Sequence, residues 1–64
     1  MHLLRRIEAY LRATGTAPAR FGREAASDPR LVFDLRRGRQ PRASLGRRLN
    51  VFLEGRERAL EERR

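Results

Sequence analysis

Cysteine and lysine are absent from this chain, and histidine occurs once, as His2. Without cysteine there is no disulfide framework and no thiolate metal site. A single histidine beside the N-terminus leaves no Cys–His pair and no Ser–His–Asp set, so nucleophilic catalysis has no parts to work with. Glu8, Glu24 and Asp34 fall on different segments with no motif to assemble them, and the same scarcity of ligands argues against a metal. The expected inventory is no catalytic residue, no metal, no cofactor and no small-molecule ligand. No apolar run approaches the ~20 residues of a membrane span. The opening "MHLLRRIEAYLRATG" is broken by charges and lacks the continuous apolar region of a signal peptide. The expectation is a reduced, cytoplasmic, nucleoid-associated setting. Aromatics are few as well: three phenylalanines and one tyrosine, a poor stock for stacking single-stranded bases.

Arginine fills the space these absences leave. All sixteen basic residues are arginine, set against eight acidic ones, for a net charge of +8. Using arginine alone reflects a GC-rich coding bias and is not read as function. The positive balance attracts polyanions and speeds their capture. Nucleic acid leads the candidates, although a merely solvated basic surface satisfies the same balance. At 64 residues the chain is one small domain or part of one. Such a domain buries only ~60 % of its unfolded surface and is marginal alone.

Leu3, Leu4, Ile7 and Leu11 sit at helical spacing with charges between them, which predicts an amphipathic first helix of about three turns. Thr14-Gly15 ends it, since glycine takes the left-handed conformation at a helix end. Tyr10 lies at the edge of the apolar stripe. Pro18 opens a second helix, because its fixed φ and missing donor suit a first turn. Phe21, Gly22 and Ala25 share one face, and the helix ends near Ala26. In "SDP" Asp28 is a good N-cap and Pro29 a good first helical residue, so a third helix is expected from Pro29 to Arg37. Leu31, Val32 and Leu35 give it an apolar side, and Gly38 closes it. "RGRQPRAS" is a basic loop that Pro41 keeps from being helical. Leu45, Leu49, Phe52, Leu53 and Leu60 mark a fourth helix from about residue 43. It either ends at Gly55 or runs on into "RERALEERR", where the Glu54/Arg58 and Arg58/Glu62 spacings favour continuation by ~0.2–0.5 kcal/mol each. No strand, repeat or second domain is expected. The fold class is all-α, a single small domain of four to five helices. Its core is Leu4, Ile7, Leu11, Phe21, Ala25, Val32, Leu35, Leu49, Phe52 and Leu53. Gly22 and Ala25 are small, which lets the second helix approach the third closely.

Two helices joined by three or four residues cross steeply and leave the second projecting, the geometry of a helix-turn-helix. The residues from about Pro18 to Arg37 resemble the lambda-repressor/Cro-like (Xre-type) helix-turn-helix family, which includes many small bacterial and phage regulators. Phe21, Ala25, Val32 and Leu35 stand where the family has apolar residues, and Gly22 where it has a small one. "LRRGRQPRASLGRRLNVFL" matches its glycine-ended recognition helix, proline-containing loop and following helix. The likeness covers roughly Leu3 to Leu53. Four positions depart from the pattern. Ala26 stands at the usual turn glycine, Ser27 at an apolar turn position, Ala17 at a Ser/Thr cap, and Gly46 at an apolar position of the fourth helix.

The resemblance implies sequence-specific binding of double-stranded DNA, with the third helix in the major groove, and a small transcriptional regulator that represses by occlusion. Base contacts then fall to Arg30, Phe33 and Asp34. Arg30 forks onto guanine and Phe33 meets a thymine methyl, or else Phe33 packs under the fourth helix or against a partner subunit. Asp34 accepts from a cytosine amino group, or holds Arg30 or Arg37, or makes only an exposed (i, i+4) pair. Phosphate contacts fall to Arg37, Arg39 and Arg42 after the recognition helix and to Arg20 and Arg23 on the helix before it. The implied partner is a second copy, with half-sites ~34 Å apart. Phe52 and Leu60 are the candidate dimer contact, unless they only close the monomer core. The alternatives are an accessory or antitoxin-like subunit, a module of a longer protein, or a basic nucleic-acid or protein-interaction module without sequence preference.

Overall fold

Leu3–Thr14 forms helix α1 in a computed structural model that describes residues 2–62. Its apolar stripe turns inward: Ile7 is fully buried and Leu11 nearly so. Gly15 stops the helix in the left-handed conformation, φ 70°, and its N–H donates to the Leu11 carbonyl at 2.8 Å. A β-carbon would strain that backbone, which is why the stop is glycine. Thr14 adds a second lock, its hydroxyl bonding the Tyr10 carbonyl at 2.8 Å.

Helix α2, Pro18–Ala26, begins at its proline as the sequence predicts, and Ala17 supplies no side-chain cap. It buries Phe21, Gly22 and Ala25. It ends at Ala26, as expected, and only the turn position that the resemblance put at Ala26 is shifted by one residue. Ala26 is still helical, and the left-handed position is Ser27, φ 54°. The Ser27 N–H donates to the Arg23 carbonyl at 3.0 Å and the Asp28 N–H to the Gly22 carbonyl at 3.0 Å. The chain thus folds back across the middle of α2, and a β-carbon on Gly22 would lie inside the Asp28 carbonyl oxygen. Here glycine is required by close approach of backbone, not by its own dihedral angles.

Helix α3 is Leu31–Arg36, shorter at both ends than the expected Pro29 to Arg37. Asp28 does cap this segment: its Oδ1 accepts the Arg30 N–H at 3.0 Å. But the Leu31 N–H reaches the Asp28 carbonyl three residues back, at 3.1 Å, so Pro29 and Arg30 form a tight turn before regular α-helix begins. At the other end, Arg37 and Gly38 form a turn and Gly38 takes φ 104°. Leu31, Val32 and Leu35 are buried.

Helix α4, Ala43–Glu62, runs 20 residues, so the chain continues through Gly55. At ~1.5 Å per residue the helix is roughly 30 Å long. The continuation is pinned from outside the helix. Arg6 on α1 reaches Glu57 at 3.0 Å and also donates to Asn50. Neither the Glu54/Arg58 nor the Arg58/Glu62 pair occurs among the described residues.

One core joins the four helices: Ile7, Leu11, Phe21, Ala25, Leu31, Val32, Leu35, Leu49 and Leu53. Leu31, fully buried, belongs to it although periodicity did not single it out as core. Leu4 and Phe52 are only partly buried at its edge. The aromatic centre is a short chain: Tyr10 packs on Phe21 at 5.9 Å between centroids, and Phe52 meets Phe21 edge-on at 5.5 Å. Helix α3 packs against α2 and α1, which leaves its opposite side to solvent. No helix among the described residues is long and apolar enough to cross a membrane.

Candidate nucleic-acid interface

The outward side of α3 follows from the inward one. With Leu31, Val32 and Leu35 buried, the helical turn places Arg30, Phe33, Asp34 and Arg37 on the free face. These four line one open recess. Phe33 is 42% exposed. The three expected base-contact residues and one expected phosphate contact therefore stand together.

The carboxylates of this face are already engaged. Arg39, in the loop after α3, reaches back with one guanidinium nitrogen, Nη1, to Oδ2 of Asp34 and Oδ2 of Asp28, each at 3.3 Å. Its backbone N–H also donates to the Asp34 carbonyl at 3.0 Å. Of the partners weighed for Asp34, neither Arg30 nor Arg37 is the one it takes. Arg39, expected on phosphate, is the residue that does so. Arg42 lies beside it, sharing a second hollow with Arg39, Gln40, Ser44 and Leu45.

The remaining arginines divide into tied and untied. Arg20 is paired with Glu24 on the next turn of α2 at 3.1 Å, and Arg56 of α4 approaches the same carboxylate at 3.7 Å. Arg23, Arg30, Arg37 and Arg42 have no ion-pair partner among the described residues, and all four are exposed. Untied guanidinium groups are the ones that can meet phosphate or base edges without first giving up a carboxylate.

Arg36, which periodicity left unassigned, anchors the flank of the site. It grips Glu8 of α1 through Nε at 2.7 Å and Nη2 at 2.8 Å, a bidentate pair that locks α3 to α1. The same guanidinium lies 5.8 Å from the Phe33 ring centroid. Nothing in local spacing signals this pair, because its members are 28 residues apart. The hydrogen bond from Arg36 holds the Glu8 carboxyl below the ordinary carboxylate range. Partial burial opposes this, and the fields of Arg36 and Arg12 reinforce it. Arg36 is correspondingly raised by the same hydrogen bond. A carboxylate with a depressed folded-state pKa stabilises the fold above its unfolded pKa, and that share is lost as pH falls through the folded value. Acid titration followed by circular dichroism is therefore expected to show stability falling below the ordinary carboxylate range. Glu8→Gln should flatten this acid limb and lower stability at neutral pH.

The two residues suggested for a dimer contact lie on α4. Phe52 meets Phe21 edge-on at the border of the core, and the Arg56 guanidinium lies 4.9 Å from its ring centroid. Leu60 is half-buried. Phe52 thus packs against the edge of the core and stays partly exposed.

Set against protein families, curated proteins and solved structures, the chain matches none. Its function is therefore read from this site.

Proposed function

We propose that this chain binds double-stranded DNA in a sequence-specific way, as a small transcriptional regulator of the helix-turn-helix kind. In this reading α2 and α3 are the motif and α3 is the reading element. One observation carries the proposal: Arg30, Phe33, Asp34 and Arg37 surround a single open recess on the face of α3 opposite its buried residues. Helix α3 has six residues, roughly 9 Å of helix, and a major groove ~12 Å wide accepts it with its side chains.

Each residue then has a role set by its chemistry. Arg30, untied and exposed, forks onto guanine O6 and N7, a contact worth ~1–3 kcal/mol of discrimination. Phe33 offers an apolar surface to a thymine methyl. Arg37 and Arg42 meet phosphates beyond the C-terminal end of α3, and Arg23 meets them from α2, fixing orientation without reading sequence. A second copy bound to the adjacent half-site would double the number of base pairs read. Occupying a promoter in this way represses by exclusion.

Selection from a randomised duplex pool, followed by fluorescence-anisotropy titration at two salt concentrations, tests the proposal. The expected result is a palindromic motif, with Arg30→Ala losing about ten-fold or more of the preference at one guanine. Salt-dependent binding with no enriched motif would make the chain a non-specific basic binder. No duplex binding at either salt would end the DNA reading and point to a protein partner.

A further inference from the structure

We infer that Asp34 is the specificity-determining residue of the α3 face, and that Arg39 is its positioning residue and not a phosphate contact. This rests on the DNA-binding reading above. The inference starts from the way the two carboxylates are used. Asp28 has both oxygens committed inside the protein, Oδ1 to the Arg30 N–H at 3.0 Å and Oδ2 to Arg39 at 3.3 Å. Asp34 has only Oδ2 committed, to Arg39 at 3.3 Å. Its Oδ1 has no hydrogen-bond partner among the described residues, and Asp34 lines the open recess with Arg30.

A carboxylate only accepts hydrogen bonds. Pressed into a major groove, its free oxygen needs a donor. On the strand it faces, that means the N4 amino group of cytosine or the N6 amino group of adenine. Guanine O6 and thymine O4 are acceptors there, and against them the carboxylate would be desolvated without a partner, an expensive arrangement. Asp34 therefore selects by exclusion as much as by attraction.

Arg39 makes this tolerable beside phosphates. One guanidinium sits between two carboxylates and offsets their charge. Together with the backbone bond to the Asp34 carbonyl, it holds the Asp34 side chain in one orientation. Arg30 stands one helical turn before Asp34, with its backbone N–H fixed by Asp28. The predicted half-site thus carries a guanine read by Arg30, next to a cytosine or adenine read by Asp34.

The test uses the full chain as wild type, Asp34→Ala, Arg39→Ala and the double variant, each selected against the randomised duplex pool and titrated at two salt concentrations. Asp34→Ala should keep the motif except at one base pair, where the preference for an amino-bearing base falls about ten-fold. Arg39→Ala should relax that same base pair, and should change it no further in the Asp34→Ala background. Its log–log salt slope should stay at the wild-type value, whereas a lost phosphate contact would shrink it by ~0.9. A smaller slope with base preferences intact would make Arg39 a phosphate contact and overturn the inference. So would relaxation spread evenly over the motif, which marks a loosened α3. Should Arg39→Ala fail to fold by circular dichroism, Asp34→Ala decides alone, and an unchanged motif rejects the inference. An enriched wild-type motif indifferent to Asp34→Ala sinks this inference only, while no enriched motif for the wild type sinks the sequence-specific reading and this inference with it.

Discussion

Gly22→Ala is expected to unfold much of the protein. The added β-carbon would occupy the space of the Asp28 carbonyl oxygen, and it would also crowd the Leu31 side chain, 3.3 Å away. The obstacle is backbone, which cannot rotate aside as a side-chain end can. The residues 27–30 link must then lift off α2, breaking the Asp28 N–H bond to the Gly22 carbonyl and tilting α3 out of the core. Overpacking of this kind costs about 3 kcal/mol, at the upper end of its range. A domain of this size holds only ~3–5 kcal/mol in total. Gly46 and Gly55 are the control, because a β-carbon at either meets nothing within 4 Å and both lie within α4. Gly55→Ala should raise stability by up to ~1 kcal/mol through helix propensity alone. Thermal melts followed by circular dichroism read both. Equal melting of Gly22→Ala and wild type would mean that α2 and the link do not touch.

Arg37→Ala combined with Arg42→Ala should weaken duplex binding about 60-fold at 0.1 M salt while leaving the selected motif unchanged. Each lost phosphate contact removes ~0.9 from the log–log salt slope, and at that salt concentration ~0.9 from log K. Two contacts thus remove ~1.8 from each. Both arginines are exposed and untied among the described residues, so their removal breaks no internal pair and stability should hardly change. Anisotropy titrations over a salt series measure the slope directly. A slope equal to wild type would remove both residues from the phosphate contacts.

The helices themselves were legible because apolar spacing and punctuation agree. Gly15, Pro18 and Gly38 act where the sequence puts them, and Ile7, Leu11, Phe21, Ala25, Val32, Leu35, Leu49 and Leu53 are buried as their spacing requires. The need for a small residue at position 22 was legible too. What was hidden depends on contacts between distant segments. The start of α3 slipped to Leu31 because the Asp28 carbonyl closes a tight turn first. Leu31 joined the core because α3 lies against both α2 and α1, which widens its buried stripe. Helix α4 passed Gly55 with help from Arg6 of α1. In the candidate site, the resemblance singled out Arg30, Phe33 and Asp34 on the third helix and Arg37 at its end, and the fold brings the four around one recess. Periodicity could not assign Arg39 to Asp28 and Asp34, nor Arg36 to Glu8, because a flexible guanidinium chooses its partner only after the fold has brought several within reach.

The brevity of α3 carries its own consequence. Six residues form less than two turns, far below the ~12–15 at which an isolated helix becomes even marginal in water. Its helicity is on loan from α1 and α2, through the Leu31, Val32 and Leu35 side chains. The exposed face of α3 therefore exists only while the whole domain is folded, and binding at that face and folding form one thermodynamic equilibrium. Any ligand of that surface pulls the equilibrium toward the native state by mass action. If the proposed DNA binding holds, warming the domain, or damaging its core far from α3, would read out as lost recognition.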